Sequence, residues 1–185
     1  MDFMDLLDGF LWWAWERHHN VLSWYIRPLF LLPLAYFSYK RSLPGIILTL
    51  VALATSMFWF PAPDGVDPRV EEFLAFEKEW LTGEWTLAKV LLTAIVPLTI
   101  GALCLAFWRR SLVWGLVIIN AATIGKVMWG VVSGDGTGWA MLLPALAGLL
   151  VCNAAVLYTA RRIRDCSSRR GRSREADGLR EETTQ

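Results

Sequence analysis

The sequence predicts an all-α integral membrane protein of five transmembrane helices, with its N-terminus outside and its C-terminus cytoplasmic. An N-terminal interfacial amphipathic helix and a short amphipathic lid helix in the outer loop complete the expected fold. Three observations lead there. Several stretches approach the roughly 20 apolar residues that a bilayer core demands. Short charged or Pro/Gly-rich breaks separate them, and alternate breaks carry opposite charge. The chain is also 55% hydrophobic, above the roughly 45–50% of ordinary soluble domains. Backbone groups in lipid must be satisfied internally, so such stretches have to be helices.

The first element, residues 1–20, places Phe3, Leu6, Leu7, Phe10, Leu11 and Ala14 at helical spacing, with Asp2, Asp5, Asp8 and Arg17 on the other side. Trp12, Trp13 and Trp15 are the residue type that settles at headgroup level. A helix lying in the interface fits this pattern better than a span. The acidic start also lacks the cations of a secretory signal. The bundle then occupies 21–160. Its first span, about 21–39, contains Pro28 and Pro33, which should kink it and free carbonyls for neighbours.

Lys40-Arg41 ends that span, and Pro44-Gly45 opens the second, about 43–60. Pro61, Pro63, Asp64-Gly65 and Asp67-Pro68 mark a break, and 61–85 form the outer lid. Asp67-Pro68 reads as an N-cap followed by proline at the first helical position, with Gly83 as the stop. The third and fourth spans, about 86–108 and 111–132, are joined only by Arg109-Arg110 and so are antiparallel neighbours. A polar turn at Ser133–Gly138 leads to the fifth span, about 139–160. Beyond it, 161–185 is an Arg/Ser-rich segment with too little apolar surface to fold alone, expected to be a disordered cytoplasmic tail.

Charge orients the bundle. Lys40, Arg41, Arg109, Arg110 and the tail hold 12 of the Lys/Arg and 5 of the Asp/Glu. The opposite connections and the N-terminal helix hold 3 Lys/Arg (Arg17, Arg69, Lys78) and 12 Asp/Glu. The positive-inside rule puts the first set in the cytoplasm, and the expected location is the plasma (inner) membrane.

Three cations, Arg27, Lys89 and Lys126, remain inside the spans without an acid beside them. At about 1.5 Å per residue, all three fall in the outer third of the bilayer. Such charges usually face the bundle interior and take a partner. The lid supplies one: Val70, Phe73, Leu74, Trp80 and Leu81 form its apolar stripe, and Glu77 falls in the middle of that stripe. Glu77 is therefore expected to pair with one of the three cations and fix the lid in register. Alternatively, a cationic pocket remains there for an anionic small molecule, with Glu77 as its gate.

His18 and His19 point about 100° apart on a helix and make a poor chelate. They read as interfacial polar residues; a metal completed by Glu16 or a lid acid is the lesser alternative. In the fourth span, Gly115, Ala122, Lys126 and Ser133 share a stripe, and Ala121-x-x-x-Gly125 permits close helix approach. Asn120 and Asn153 are placed to hydrogen-bond across spans. Cys104, Cys152 and Cys166 lack CxxC or zinc-ligand spacing and read as two small core residues and a tail thiol.

The chain carries no carboxylate pair within a span, no Ser-His-Asp order, no phosphate loop and no ligand cluster. These absences argue against an enzyme, and no cofactor is expected. The leading expectation is a non-catalytic accessory or scaffold subunit, partnered by membrane lipids and by other membrane subunits or itself. A transporter for an anionic or amphiphilic solute is the alternative. A lipid enzyme at the outer face, with Glu77 or His18 as acid-base group, comes third. The tail is expected to meet anionic inner-leaflet lipid and, without aromatics after Tyr158 to stack on bases, no nucleic acid.

Overall fold

The computed structural model describes residues 3–133, 139 and 141–182, and no strand occurs among them. In chain order the helices are α1 Phe3–His18, α2 Val21–Leu29, α3 Leu31–Tyr39, α4 Leu43–Thr55, α5 Pro68–Thr82, α6 Leu87–Trp108, α7 Leu112–Ser133 and α8 Leu142–Glu182. Four stretches are long and apolar enough to cross a membrane: Val21–Tyr39, Leu87–Trp108, Leu112–Val132 and Leu142–Arg162. The second expected span falls short. It is thirteen residues of α4 and a three-residue 3-10 turn, Ser56–Phe58, about 25 Å in all against a core of roughly 30 Å.

The prolines divide the first span. Pro28 lies inside α2, the chain breaks at Phe30, and Pro33 sits in the first turn of α3, where its missing N–H is harmless. The kink also exposes a carbonyl: the Cys152 thiol of α8 donates to Pro28 O at 3.4 Å. Capping follows the sequence. Asn20, Ser42, Asp67 and Thr86 each accept a backbone N–H at the start of α2, α4, α5 and α6, and Gly83 closes α5.

α3 packs between α4 and α6, α7 lies on α6, and α8 lies on α2 and α7. Leu34, Ala35, Ile46, Leu103, Phe107, Ile119, Cys152 and Val156 form the central core. A second cluster, Trp24, Val70, Phe73 and Leu74, holds the lid helix α5 on α2. Glycine allows close contact at three places: a Cβ would overlap Phe37 at Gly45, Phe107 at Gly115 and Pro28 at Gly148. Gly125 meets nothing within 4 Å, so among the described residues the expected small-residue contact at Ala121-x-x-x-Gly125 is not made. Asn120 and Asn153 do join α7 to α8. Each Nδ2 donates to the other's Oδ1, at 2.9 and 3.2 Å, and to a carbonyl one turn back on its own helix.

The segment from Arg161 departs from expectation. It continues α8 as helix to Glu182 instead of leaving the membrane helix as coil. Arg, Ala, Leu and Glu are favourable helix formers, and no proline interrupts them after Pro144. The turn expected at Ser133–Gly138 lies beyond Ser133 outside the described residues.

Replacing Gly148 by leucine should separate α2 from α8 and cost about 1–3 kcal/mol, read as a lowered thermal midpoint in detergent. Gly9→Ala, with open space around the new methyl, should leave the midpoint unchanged or raise it slightly.

Candidate functional site

The candidate site lies where α1, α2 and α5 meet. Asn20 caps α2 immediately after α1 ends at His18, so the chain turns sharply and brings His18 against the next helix. Trp24 Nε1 donates to His18 O at 3.2 Å and fixes this turn. The imidazole packs beside the rings of Trp15 and Trp24, at 5.8 and 6.5 Å, and is 6% exposed. Trp24 in turn meets Phe73 of the lid at 5.6 Å.

Arg27 approaches His18 from below, its guanidinium 2.7 Å from Nδ1. A guanidinium only donates, so Nδ1 accepts, and the neutral ring carries its proton on Nε2. Nε2 faces Glu77 Oε2 at 3.8 Å, a polar contact too long for a hydrogen bond. The ring therefore sits between cation and carboxylate and links them. Burial works to raise the Glu77 carboxyl, but the His18 contact and the positive charges of Lys126 and Arg27 outweigh it and hold the group below its ordinary value.

The sequence singled out Arg27, Glu77, Lys89 and Lys126 as one constellation, and the structure divides them. Arg27 and Glu77 share His18 instead of touching each other. Lys126 is exposed on α7 and acts on Glu77 through its charge. Lys89 is elsewhere: its Nζ donates to Gly83 O at 3.0 Å, beneath Trp80 and Trp85 at 5.4 and 5.0 Å. There it supplies the cation that the last turn of α5 lacks, a favourable place against the helix dipole. Asn120 belongs to the α7–α8 contact described above.

His18 is the residue that sequence reasoning undervalued. The signal was the helix break at Asn20 with tryptophans on both sides, which makes residue 18 a corner rather than a surface position. His19 faces away, its Nδ1 2.9 Å from Trp15 O, and Glu16 is exposed. Among the described residues no three His, Cys, Asp or Glu groups converge as a metal would require. His18 Nδ1 is taken by Arg27, while the Glu77 side chain remains 28% exposed.

Further contacts seat the lid. Phe76 and Trp80 meet Trp129 of α7, at 5.5 and 5.1 Å, and Lys78 lies 5.6 Å over Trp15. Arg17 and Asn20 hold the carbonyls of Phe60 and Pro61 at 3.2 and 2.9 Å. Protein-family models, curated proteins and solved structures were compared with the chain, and none matches.

Because folded Glu77 titrates below its ordinary 4.5, its stabilisation is complete above that pH and is lost as pH falls through the folded-state value. Wild type should therefore exceed Glu77→Gln in thermal stability at pH 7, and the gap should close in acid. A gap that stayed constant with pH would show that the carboxylate charge is not what matters. In a double-mutant cycle, His18→Ala and Glu77→Gln should couple by about 0.5–3 kcal/mol.

Proposed function

We propose that the chain is a non-catalytic membrane protein that serves as an accessory or scaffold subunit, binding other membrane subunits or copies of itself through its helix faces. The observation that carries this reading is the thin packing of its longest apolar helices. Only 17% of the apolar stretch of α6, and the same of α7, is buried within the chain. Gly101 on α6 and Gly125 on α7 have open space around them, which suits the close approach of another helix. The charged cluster is closed by its own pairings, as expected of a structural anchor.

In this reading the topology has five crossings. Leu43–Phe58 supplies the fifth, because its start adjoins the α6–α7 turn and its far end is tied to Asn20 through Pro61. The extended residues after Phe58 make up the missing length, and local thinning of the bilayer accommodates the rest. The N-terminus and lid lie outside and the arginine-rich end lies in the cytoplasm of the plasma membrane, following the charge asymmetry. The apolar face of α1, with Leu6, Leu7, Phe10 and Leu11 exposed, rests in the outer headgroup region.

Enlarging Gly101 and Gly125 to leucine should reduce the native mass of the detergent-extracted assembly, or strip co-purifying subunits, without lowering thermal stability. Unchanged mass and partners would refute the reading.

A second reading, an anion-conducting or anion-binding protein, has one observation in its favour. Arg27 and Lys126 bring two positive charges to one carboxylate, and the Lys126 side chain is exposed. If that excess serves transport, proteoliposomes should pass chloride or a carboxylated amphiphilic dye, and Lys126→Gln should abolish the flux. Equal leak from wild type and variant would dismiss it.

A further inference from the structure

Two turns at the arginine-rich end of the bundle are built alike. Tyr39-Lys40-Arg41-Ser42-Leu43 joins α3 to α4, and Trp108-Arg109-Arg110-Ser111-Leu112 joins α6 to α7. In each, the serine N–H bonds the carbonyl five residues back, Phe37 or Ala106, and the arginine N–H bonds the carbonyl three back, Ser38 or Phe107. These are the paired bonds of a Schellman close. The arginine of each turn is left-handed, with φ 57° at Arg41 and 59° at Arg110, where glycine is the usual occupant. The arginines also cross between turns. Arg41 Nε donates to Trp108 O at 3.2 Å, and the Arg110 guanidinium lies 5.6 Å over the Tyr39 ring.

Beside these turns an apolar crevice of about 230 Å³ opens between α3, α6–α7 and α8, walled by Leu32, Tyr36, Tyr39, Phe107, Ala155 and Val156. It follows α3 from Leu32 to Tyr39, about 10 Å at 1.5 Å per residue. Compact small-molecule sites run to roughly 300–1,000 Å³, so this is a narrow slot. Its mouth is cationic: Arg110 lies on Tyr39, and Lys40 Nζ is 6.0 Å over Tyr36. Neither turn contains an acid, and α8 has none before Asp165.

We propose that this crevice is a lipid-binding site, taking one acyl chain of an anionic glycerophospholipid along α3 and α8, with its phosphate on Arg110 and Lys40. The slot alone would accept a chain from any lipid. The purely cationic mouth selects the headgroup, because a cation held over a ring face keeps its N–H edges directed outward for phosphate oxygens. The site requires only that the chain resides in a membrane, and it stands apart from the subunit reading above.

The test is native mass spectrometry of the full chain in detergent, titrated with phosphatidylglycerol or phosphatidylcholine of matched acyl chains. Wild type should bind phosphatidylglycerol preferentially. Arg110→Gln and Lys40→Gln, both at exposed positions, should each cut that preference about fivefold, at about 1 kcal/mol per cation near the surface, and leave phosphatidylcholine binding unchanged. Ala155→Leu, which narrows the slot, should weaken both lipids. Glutamine at Arg169, Arg170, Arg172 and Arg174 should leave the preference intact. Equal binding of the two lipids by wild type would overturn the proposal. So would a preference that survives Arg110→Gln with Lys40→Gln but disappears with the tail substitutions, or a doubled mass in place of lipid adducts.

Discussion

A guanidinium inside an apolar helix has to be satisfied from somewhere, and the lid end of this protein is arranged around that requirement at Arg27. The hydroxyls of Ser23 and Tyr25 on its own helix do not bond it, and the carboxylate that acts on it is on the lid. His18 lies between them: its Nδ1 accepts from Arg27 and its other edge faces Glu77 at 3.8 Å, so a cation and a carboxylate that do not pair directly stand on either side of one ring. This places α1, α2 and α5 in a single register. Removing any one partner leaves a half-buried charge or the buried ring nitrogen of His18 less well met.

The residue after Arg27 does the corresponding work toward the bundle. Pro28 bends the helix, gives Cys152 an acceptor carbonyl and presents the surface on which Gly148 sits. Two adjacent residues therefore hold the lid on one side of α2 and α8 on the other. Consecutive residues on a helix project about 100° apart, so Arg27 and Pro28, both within α2, meet neighbours on different sides.

Local signals were legible in the sequence: the caps at Asp67 and Gly83, the proline break, the antiparallel pair joined by Arg109-Arg110, and the Asn120–Asn153 contact. Each depends on residues a few positions apart or on helices forced together by a short connection. What the sequence hid depended on angles between elements. The nine-residue step from His18 to Arg27 crosses a helix break whose direction periodicity does not encode. Lys89 lies at the depth that suggested a place in the charged cluster, yet the lid ends directly above it and takes it as a cap. The likeness of the two arginine turns covers only a few residues, below what a search for repeats can separate from chance, and it becomes visible once their hydrogen bonds coincide.

The two ends of the bundle solve the same problem by different means. At the arginine-rich end, connections of a few residues let backbone bonds close each turn, so the side chains of Lys40, Arg41 and Arg110 are left to interact with rings, a neighbouring carbonyl or a ligand. At the lid end the connection at 59–67 is longer, and its backbone does not close a turn in this way. Side chains replace it there: Arg17 and Asn20 on Phe60 and Pro61, Lys89 on Gly83, and His18 between Arg27 and Glu77. Charge is thus consumed as structure at one end and kept available at the other. That division is why the lid-end constellation, conspicuous in the sequence, reads as an anchor, and why the arginine-rich end has the stronger chemical case for a ligand.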